Sequence, residues 1–357
     1  MFAKDMSTEE KKKVWNIKNI FTIVAVAILL IVACVYYFYK SNNNVSYTGD
    51  GGDRLVFGKE ISIAQSDYLN IHFIDVGQGD CIFIEFPDNK NMLIDGGYAE
   101  ESNTVINYLS NLKITKIDLV LATHSDADHI GALPAIFEKY EISYCFRPMI
   151  KYSGKSLLSS SFNPESRGEK AYECDSEYYF DFLNAVRNEK CGWSFFNKDS
   201  DFSQSFVYNG KNCNYSFDFL TPTAKVSEIA YYNANDYSPI CVLTYGDFSL
   251  MLTGDAEEYA EKEFLLNYAD NYPDVDVLKV GHHGSSTSST EKFITAVKPE
   301  YAVISCGKDN EYGHPHDETL LNLAGCWIYR TDLNGNVKFE IPSEGKWRIT
   351  PPLEELL

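Results

Sequence analysis

Four side chains that can bind metal ions lie within six positions of one another. The stretch "LVLATHSDADHIGAL", residues 119–133, is an apolar run that ends in His124, Asp126, Asp128 and His129. A single histidine on a buried strand is usually structural, whereas two imidazoles and two carboxylates this close together are typical ligands of divalent ions. The spacing therefore predicts a metal site, and the number of donors favours two ions.

A second group of polar side chains follows apolar runs later in the chain. Asp255 ends the run in "LTGDAE", where its carboxylate could bridge two ions, cap the helix that follows, or do both. His282 and His283 lie in "KVGHHGSSTSS", and one of them could bind metal while the glycines allow close backbone approach. The hydroxyls of Ser285 and Ser286 could bind a phosphate or carboxylate oxygen. The alternative is a surface loop, which the apolar strand before it disfavours.

The elements that position these side chains repeat along the chain. In the first half, "CIFIEF" and "NMLIDGG" predict a hairpin ending at Asp95, followed by a helix around 105–112 and the strand "IDLVLATH". In the second half, "ICVLTYG" and "FSLMLTGD" predict a hairpin ending at Asp255, followed by the helix "AEEYAEKEFLLNYA" and by "VDVLKVGHH". Two-fold-like pairing of such halves would bring both strand ends to one edge, where ligand sites of α/β layers lie.

The repeat is interrupted between the halves. Residues 151–212 are rich in Ser and Gly at first and dense in Tyr and Phe afterwards. We interpret this segment as an insertion beside the site, and the alternative is a surface elaboration without a role. Cys174, Cys191 and Cys213 could form a disulfide there if the domain lies outside the cytoplasm.

Six ordered motifs resemble the metallo-hydrolase domain of ComEC-type competence proteins, a branch of the metallo-β-lactamase superfamily. They are "HFIDVGQGDCIFIE", "NMLIDGG", "THSDADHIGAL", "LTGDAE", "VGHHGSSTS" and "YGHPHDETL". The similarity covers about residues 70–320, and six motifs in order are far more specific than any one of them. The resemblance implies an α/β fold of the metallo-β-lactamase type, an αββα sandwich with a two-metal site at one edge, which agrees with the repeat.

The resemblance also implies roles for individual residues. One ion would be held by His124, Asp126 and Asp255, and the other by Asp128, His129, Asp255 and His282. A hydroxide between the ions would be the nucleophile, since metal lowers the pKa of bound water toward 7. The catalytic group would comprise Asp128, His314 and His316, the two histidines of "GHPH" donating a proton or contacting substrate unless they only cap a turn. Contacts to the ligands or the substrate would come from Asp95, Asp80, Gln78, His283, Ser285 and Ser286, with Asp95 bracing the ligand loop.

Departures from the superfamily pattern bear on the metal. Asp126 replaces the second histidine of H-x-H-x-D-H, and no histidine lies between His129 and His282. The stretch "NANDYSP" is expected to fill the missing place, with an oxygen from Asn235, Asp236 or Ser238. More oxygen and less nitrogen favours Mn²⁺ or Mg²⁺ over Zn²⁺, and phosphodiester cleavage over antibiotic hydrolysis.

The N-terminal part predicts a membrane anchor. Ile20–Tyr39 form an uncharged apolar run, and a helix needs about 20 such residues to cross a bilayer. Several lysines precede the run and only Lys40 follows it closely. This bias predicts a single-pass cell-membrane protein, with a cytoplasmic segment 1–19, an anchor 20–39, a linker 40–67 and an extracytoplasmic hydrolase domain 68–357. The alternative is a lipoprotein signal that ends at Cys34.

Composition limits the substrate. The formal net charge of -20 repels nucleic acid, although Lys279, Lys298 and Lys308, in the second half of the chain, could supply a local cationic patch. We therefore predict an anchored metal-dependent phosphodiesterase or nuclease acting on DNA, a small nucleotide or a wall polymer, with no protein partner deducible. The alternatives are a hydrolase of carboxylic esters, lactones or amides, and a non-catalytic module that binds a partner through the insertion.

Overall fold

The computed structural model describes residues 62–63, 66–154, 162–163, 171–225, 228–269 and 273–351. The predicted cytoplasmic segment, the predicted anchor at 20–39 and most of the linker lie outside these residues. Among the helices that are described, none combines the length and the apolar composition needed to cross a bilayer.

Two mixed sheets of eight strands each form the centre of the molecule. The first sheet has the spatial order β18 (Arg348–Thr350), β17 (Val337–Ile341), β2 (Leu69–Phe73), β3 (Ile82–Glu85), β4 (Asn91–Ile94), β5 (Lys116–Leu121), β6 (Glu141–Arg147) and β9 (Gly192–Phe195). The second has the order β1 (Ser62–Ile63), β10 (Phe202–Tyr208), β11 (Lys211–Phe219), β12 (Cys241–Tyr245), β13 (Phe248–Leu252), β14 (Val277–Lys279), β15 (Tyr301–Ile304) and β16 (Trp327–Arg330).

The pairing of the strands confirms the predicted internal repeat. In the first sheet β3 and β4 form an antiparallel hairpin, and β5 then pairs with β4 in parallel. In the second sheet β12 and β13 form the antiparallel hairpin, and β14 pairs with β13 in parallel. Strands β4, β5, β13 and β14 therefore place the residues that follow them at the carboxyl-terminal edges of the two sheets.

Helices cover the outer faces of both sheets. The described helices are α1 (Ser102–Asn111), α2 (Ala127–Ile130), α3 (Leu133–Lys139), α4 (Glu177–Glu189), α5 (Glu258–Tyr268), α6 (Glu291–Val297), α7 (Asp317–Asn322) and α8 (Thr331–Asn334). One apolar cluster joins α1, α3 and α4 to the first sheet, and a second joins α5 and α6 to the other sheet.

An aromatic layer fills the space between the sheets. The ring of Phe146, on β6, lies 6.3 Å from that of Phe202 and 5.3 Å from that of Phe219, which belong to the second sheet. Phe86 stacks on Tyr215 across the same interface at 4.3 Å. The architecture is thus the four-layer αββα sandwich that was expected, and the inner strands are buried on both faces.

The predicted insertion contributes to this framework. Its helix α4 buries Tyr179, Phe182, Leu183 and Val186 in the cluster of the first sheet. Strand β9 extends the first sheet beside β6, and β10 belongs to the second. Two short strands, β7 (Lys151–Tyr152) and β8 (Glu173–Cys174), pair separately. The eight cysteines of the described residues are all free, so Cys174, Cys191 and Cys213 form no disulfide with one another.

Candidate metal centre

Side chains from both sheets converge at one edge of the sandwich. Asp128 and His129 lie on α2 after β5, Asp255 follows β13, and His283 follows β14. One ligand atom from each of these four residues lies within 4.8 Å of the others. The Nε2 atom of His283 is 3.2 Å from Asp128 Oδ2, 3.3 Å from Asp255 Oδ2 and 3.2 Å from His129 Nε2. The two repeats therefore each contribute one carboxylate and one imidazole to a single cluster.

The local backbone aims these side chains. Asp126 has an extended conformation and α2 begins directly after it, which places Asp128 and His129 on one short turn. A Cβ atom on Gly79 would lie 2.3 Å from the carbonyl oxygen of Asp128, so only glycine allows the preceding loop to approach the motif. His282 and His283 both have left-handed φ angles, 48° and 54°, which non-glycine residues rarely adopt. Such backbone outliers are concentrated at functional sites.

The hydrogen bonds of His129 and His283 fix their tautomers. His129 Nδ1 is 2.8 Å from the Asp95 carboxylate, and His283 Nδ1 is 2.9 Å from the carbonyl oxygen of Ser305. Because both partners are acceptors, each Nδ1 carries a proton and each Nε2 has a free lone pair in the neutral ring. These lone pairs point at each other across 3.2 Å, an arrangement that requires a cation or a proton between them. The pattern fits metal ligands held by outer hydrogen bonds.

His124 presents its Nε2 atom to the same region. Thr123 Oγ1 donates its proton to Asp95 Oδ2 at 2.7 Å, so it accepts from His124 Nδ1, 3.1 Å away. His124 Nε2 is buried and has no hydrogen-bond partner among the described residues, and it lies 3.8 Å from Asp126 Oδ2. Asp255 Oδ1 is also buried and has no hydrogen bond among the described residues, although it lies 3.2 Å from His129 Nε2. Buried polar atoms without a hydrogen bond are costly, and a bound cation would satisfy both.

The pKa shifts in the cluster also favour positive charge beside its carboxylates. Burial alone would raise the pKa of Asp255, but the imidazoles of His129 and His283 outweigh it and hold that pKa well below its usual range. Burial opposes charge on His129 and His283, but the carboxylates around them, Asp255 first, raise the pKa of both rings well above the ordinary value. Burial lowers the pKa of His124, which keeps this imidazole neutral.

Asp95 and Asp80 lie directly behind the cluster. Asp95 accepts hydrogen bonds from the backbone N–H and the hydroxyl of Thr123 at 2.9 and 2.7 Å, besides its contact with His129. These contacts agree with the bracing role that the family resemblance implies for Asp95. Asp80 pairs with the buried ammonium of Lys279 at 2.8 Å, and its N–H donates to the carbonyl of Asp128. Burial would raise the pKa of Asp80, but Lys279 and His283 lower it to about 2.

The lysines proposed as a cationic patch do not form one. Lys279 is fully buried against Asp80, so it cannot contact a substrate. Lys298 forms an exposed ion pair with Asp274 at 3.1 Å. Lys308 remains exposed and follows Gly307, whose N–H donates to Gln78 Oε1. The expectation of a three-lysine patch was therefore wrong, because a strand that ends at the buried edge turns Lys279 inward.

Of the two adjacent histidines, it is His283 that joins the four-residue cluster, in the position expected for His282. The Nδ1 atom of His282 lies 3.0 Å from Thr287 Oγ1 and 3.3 Å from Glu257 Oε1. Its Nε2 atom is 3.8 Å from Asp255 Oδ2, at the margin of the cluster. The sequence could not show which of the two histidines reaches the cluster. That choice depends on the local backbone conformation, which is left-handed at both residues.

The stretch expected to replace the missing histidine divides into three roles. Ser238 Oγ lies 3.2 Å from His124 Nδ1 and accepts the N–H of Asp255, so it orients two candidate ligands from behind. Asp236 accepts the N–H of Ala260 at the start of α5, and Asn235 donates to Glu257. The expectation that Asp236 lends an oxygen to the metal is therefore corrected, because its carboxylate caps a helix.

The remaining candidates lie close to His283, on the segment that follows it and on the "GHPH" segment. Ser285 Oγ is within 3.1 Å of Thr287 Oγ1, and the N–H of Ser286 donates to His316 Nδ1. His316 Nε2 contacts the carbonyl of Tyr312 at 3.2 Å, so both nitrogens of this ring are used. Burial and the imidazoles of His282 and His283 lower the pKa of His314 to about 4, which keeps this ring neutral.

Two tyrosines that the sequence reasoning missed flank the carboxylates. Burial and the nearby Asp128 carboxylate raise the pKa of Tyr98, which follows "LIDGG" directly. Burial raises the pKa of Tyr172, with smaller contributions from Cys174 and Asp126. Tyr172 thus places part of the predicted insertion beside the metal motif. Tyr98 could have been found from its position three residues after Asp95. Nothing in the sequence indicated Tyr172.

Comparisons with known proteins agree with this architecture. Residues 74–164 match the family model described as the metallo-beta-lactamase superfamily. The chain is 29% identical over 304 residues to ComE operon protein 3 of Bacillus subtilis (strain 168), covering 80% of this chain and 34% of that protein. It is 26% identical over 276 residues to competence protein ComA of Neisseria gonorrhoeae, covering 76% of this chain and 32% of that protein.

A solved structure gives a more distant likeness. The metallo-beta-lactamase fold protein YhfI from Bacillus subtilis aligns with 77% of this chain and 100% of its own, at a TM-score of 0.45 and 11% identity. The chain spans about a third of the length of the curated relatives it matches. The family match, the relatives and the six motifs all support the resemblance to the metallo-β-lactamase superfamily, in the branch of ComEC-type competence proteins.

Proposed function

We propose that this chain is a metal-dependent phosphodiesterase that uses two divalent ions at the edge of the sandwich. The observation that carries the proposal is the convergence of Asp128, His129, Asp255 and His283 on one point, with the unpartnered Nε2 of His124 beside it. His124, Asp126 and Asp255 would hold one ion, and Asp128, His129, Asp255 and His283 the other. When bound, the ions supply Lewis acidity and an activated water.

The protein's own residues prepare that chemistry. Asp95, Thr123 and Ser305 keep the Nδ1 protons of the ligand imidazoles in place, so the Nε2 lone pairs are available without rearrangement. Asp126, Asp128 and Asp255 add three carboxylates to the three imidazoles. This oxygen-rich set favours Mn²⁺ or Mg²⁺ and leaves Zn²⁺ as the alternative.

Charge favours a small or weakly anionic substrate. The net charge of -20 and the burial of Lys279 leave few cations near the site to neutralise a long polyanion. A nucleotide or a wall-polymer phosphodiester therefore fits better than duplex DNA, and nuclease action on single strands is the second form of the proposal. The apolar run at 20–39 supports a membrane anchor with this domain outside the cytoplasm. Protease accessibility in intact cells tests that orientation.

A direct test measures hydrolysis of bis-p-nitrophenyl phosphate and single-stranded DNA by the full chain. Each substrate is incubated with Mn²⁺, Mg²⁺, Zn²⁺ or chelator, beside Asp128→Asn and the control Asp274→Asn. Asp274 is an exposed aspartate paired with Lys298, outside the site. We expect turnover that needs metal, is lost in Asp128→Asn and persists in the control. Turnover of a carboxylic ester or lactone alone would overturn the proposal, as would an absence of bound metal.

A further inference from the structure

The histidines around the site fall into two groups by tautomer. In His124, His129 and His283 the atom facing Nδ1 is an acceptor, so Nδ1 carries the proton and Nε2 is free to bind metal. His316 is the reverse: its Nδ1 accepts the N–H of Ser286, and its Nε2 donates to the carbonyl of Tyr312. The two groups are therefore suited to different roles: Nε2 can bind a cation in the first group, whereas Nε2–H can donate a hydrogen bond in the second.

His314 belongs to the second group because of Gln78. The N–H of Gly307 donates to Gln78 Oε1 at 3.0 Å, which fixes the orientation of the side-chain amide. The amide nitrogen Nε2 of Gln78 consequently faces His314 Nδ1, at 3.4 Å. An amide nitrogen only donates, so Nδ1 of His314 accepts and its proton is on Nε2.

The ring of His314 is held beside the metal cluster with that proton available. Asn310 fixes its main chain, accepting the N–H of His314 at 2.9 Å and donating to its carbonyl at 2.7 Å. The ring lies 6.3 Å from the ring of His283 and nearly parallel to it, at 27°. Among the described residues, no hydrogen bond satisfies His314 Nε2–H, in contrast to the same atom of His316.

We propose that neutral His314 donates its Nε2–H to an oxygen of the substrate that gains negative charge during hydrolysis, and that Gln78 is the positioning residue that maintains this tautomer. The inference rests on the proposed phosphodiesterase function and assigns it a donor on the protein side. No proton is transferred in this step, because the ring stays neutral throughout and supplies only a hydrogen bond. Donors aimed at developing charge act strongly because they need no reorganisation.

The geometry offers a nearly isosteric test, Gln78→Glu. One oxygen of the new carboxylate can still accept from Gly307, but the other can only accept from His314, which moves the imidazole proton to Nδ1. Nitrogen-15 chemical shifts of His314 should report Nε2 protonation in the wild type and Nδ1 protonation in the variant. We expect kcat to fall about 100-fold, while KM and the metal dissociation constant change less than about threefold. Gln204→Glu, on β10 and away from the site, is the control for the added charge, with kcat unchanged.

A second pair of variants tests His314 without any charge change. His314→Gln can place an amide N–H near the position of Nε2, whereas the shorter His314→Asn cannot. We expect the glutamine variant to keep at least about tenfold more kcat than the asparagine variant, at equal metal affinity. Equal loss in both, an unchanged kcat in Gln78→Glu, or a wild-type ring protonated on Nδ1 would overturn the inference while leaving the proposed function standing. A wild-type chain that binds metal but cleaves no phosphodiester would overturn the proposed function and, with it, the role assigned to His314. The nitrogen-15 shifts do not depend on turnover, so they would still show whether Gln78 fixes the tautomer of His314.

Discussion

Asp95 and Asp255 occupy corresponding places in the two halves of the molecule and have different surroundings. Each follows the second strand of a hairpin, β4 in one case and β13 in the other, beside a parallel strand that leads into the metal motif. Asp95 is enclosed by three donors, the N–H and hydroxyl of Thr123 and the imidazole of His129. Asp255 faces the cluster instead, with Oδ1 lacking a hydrogen bond among the described residues.

This difference indicates that the surroundings decide which of two equivalent carboxylates remains available to bind a metal ion. The oxygens of Asp95 are occupied by hydrogen bonds from the protein, so its negative charge orients an imidazole. The oxygens of Asp255 lie within about one ion's reach of His129 and His283, at 3.2 and 3.3 Å. In the proposed site, the first half would therefore supply a brace and the second half a carboxylate shared by the two ion positions. The variants below break or sharpen this contrast, starting with the largest effect.

Replacing the bridging carboxylate should have the largest effect. Asp255→Asn removes the one charge that both ion positions would share, so we expect metal affinity to fall by at least about 1000-fold and hydrolysis to vanish. Competition with a chelating dye measures the affinity. Asp274→Asn serves as the control, because it removes a carboxylate of the same half outside the site. Retention of normal metal binding by Asp255→Asn would remove Asp255 from the ligand set.

The corresponding change in the first half should be graded. Asp95→Asn leaves one oxygen to accept hydrogen bonds and turns an N–H toward His129 or Thr123, which also carry protons. We expect metal affinity to fall about 10- to 100-fold. The free energy of unfolding should fall by about 2–4 kcal/mol, because buried charge-assisted hydrogen bonds are lost. Urea denaturation of metal-free protein checks the second number. A loss of metal binding as complete as in Asp255→Asn would mean that Asp95 is itself a ligand.

The contrast also shows what the sequence could predict. Apolar runs followed by acids and histidines predicted the hairpins, the strands that follow them and the shared edge, because these depend on periodicity and short connections. The pattern did not separate His282 from His283 or Ser238 from Asp236, because those choices depend on left-handed backbone angles and on contacts between the two sheets. Helix α4 was assigned to an insertion because its burial depends on α3 and the first sheet, which lie far away in sequence.

The metal-free protein should show opposite pH trends for stability and for metal binding. The pKa values of His129 and His283 are raised above 6.5 in the fold, so their stabilisation is complete below about pH 6.5 and is lost as pH rises through the folded values. The pKa values of Asp255 and Asp128 are lowered from 3.8, so their contribution is lost as pH falls below about 4. We expect stability in chelator to be greatest between these limits.

Metal affinity should move the other way over the upper part of that range. A bound ion needs the unprotonated Nε2 of both rings, so affinity should rise as pH increases from 6 to 9 while metal-free stability declines. Urea denaturation in chelator and dye competition at the same pH values give the two curves. Parallel curves would show that the two imidazoles are not the groups that exchange protons for metal.

The smallest effect is expected at the neighbour of the cluster histidine. His282→Ala removes contacts with Glu257 and Thr287, whereas His283→Ala removes an imidazole that approaches Asp128, Asp255 and His129 within 3.3 Å. We therefore expect His283→Ala to lower metal affinity at least about 100-fold and His282→Ala no more than about fivefold. If the order were reversed, the second half would present His282 as its ligand, as the family resemblance implies. His283 would then be a brace, and the second half would match the first in pairing a bracing residue with a ligand.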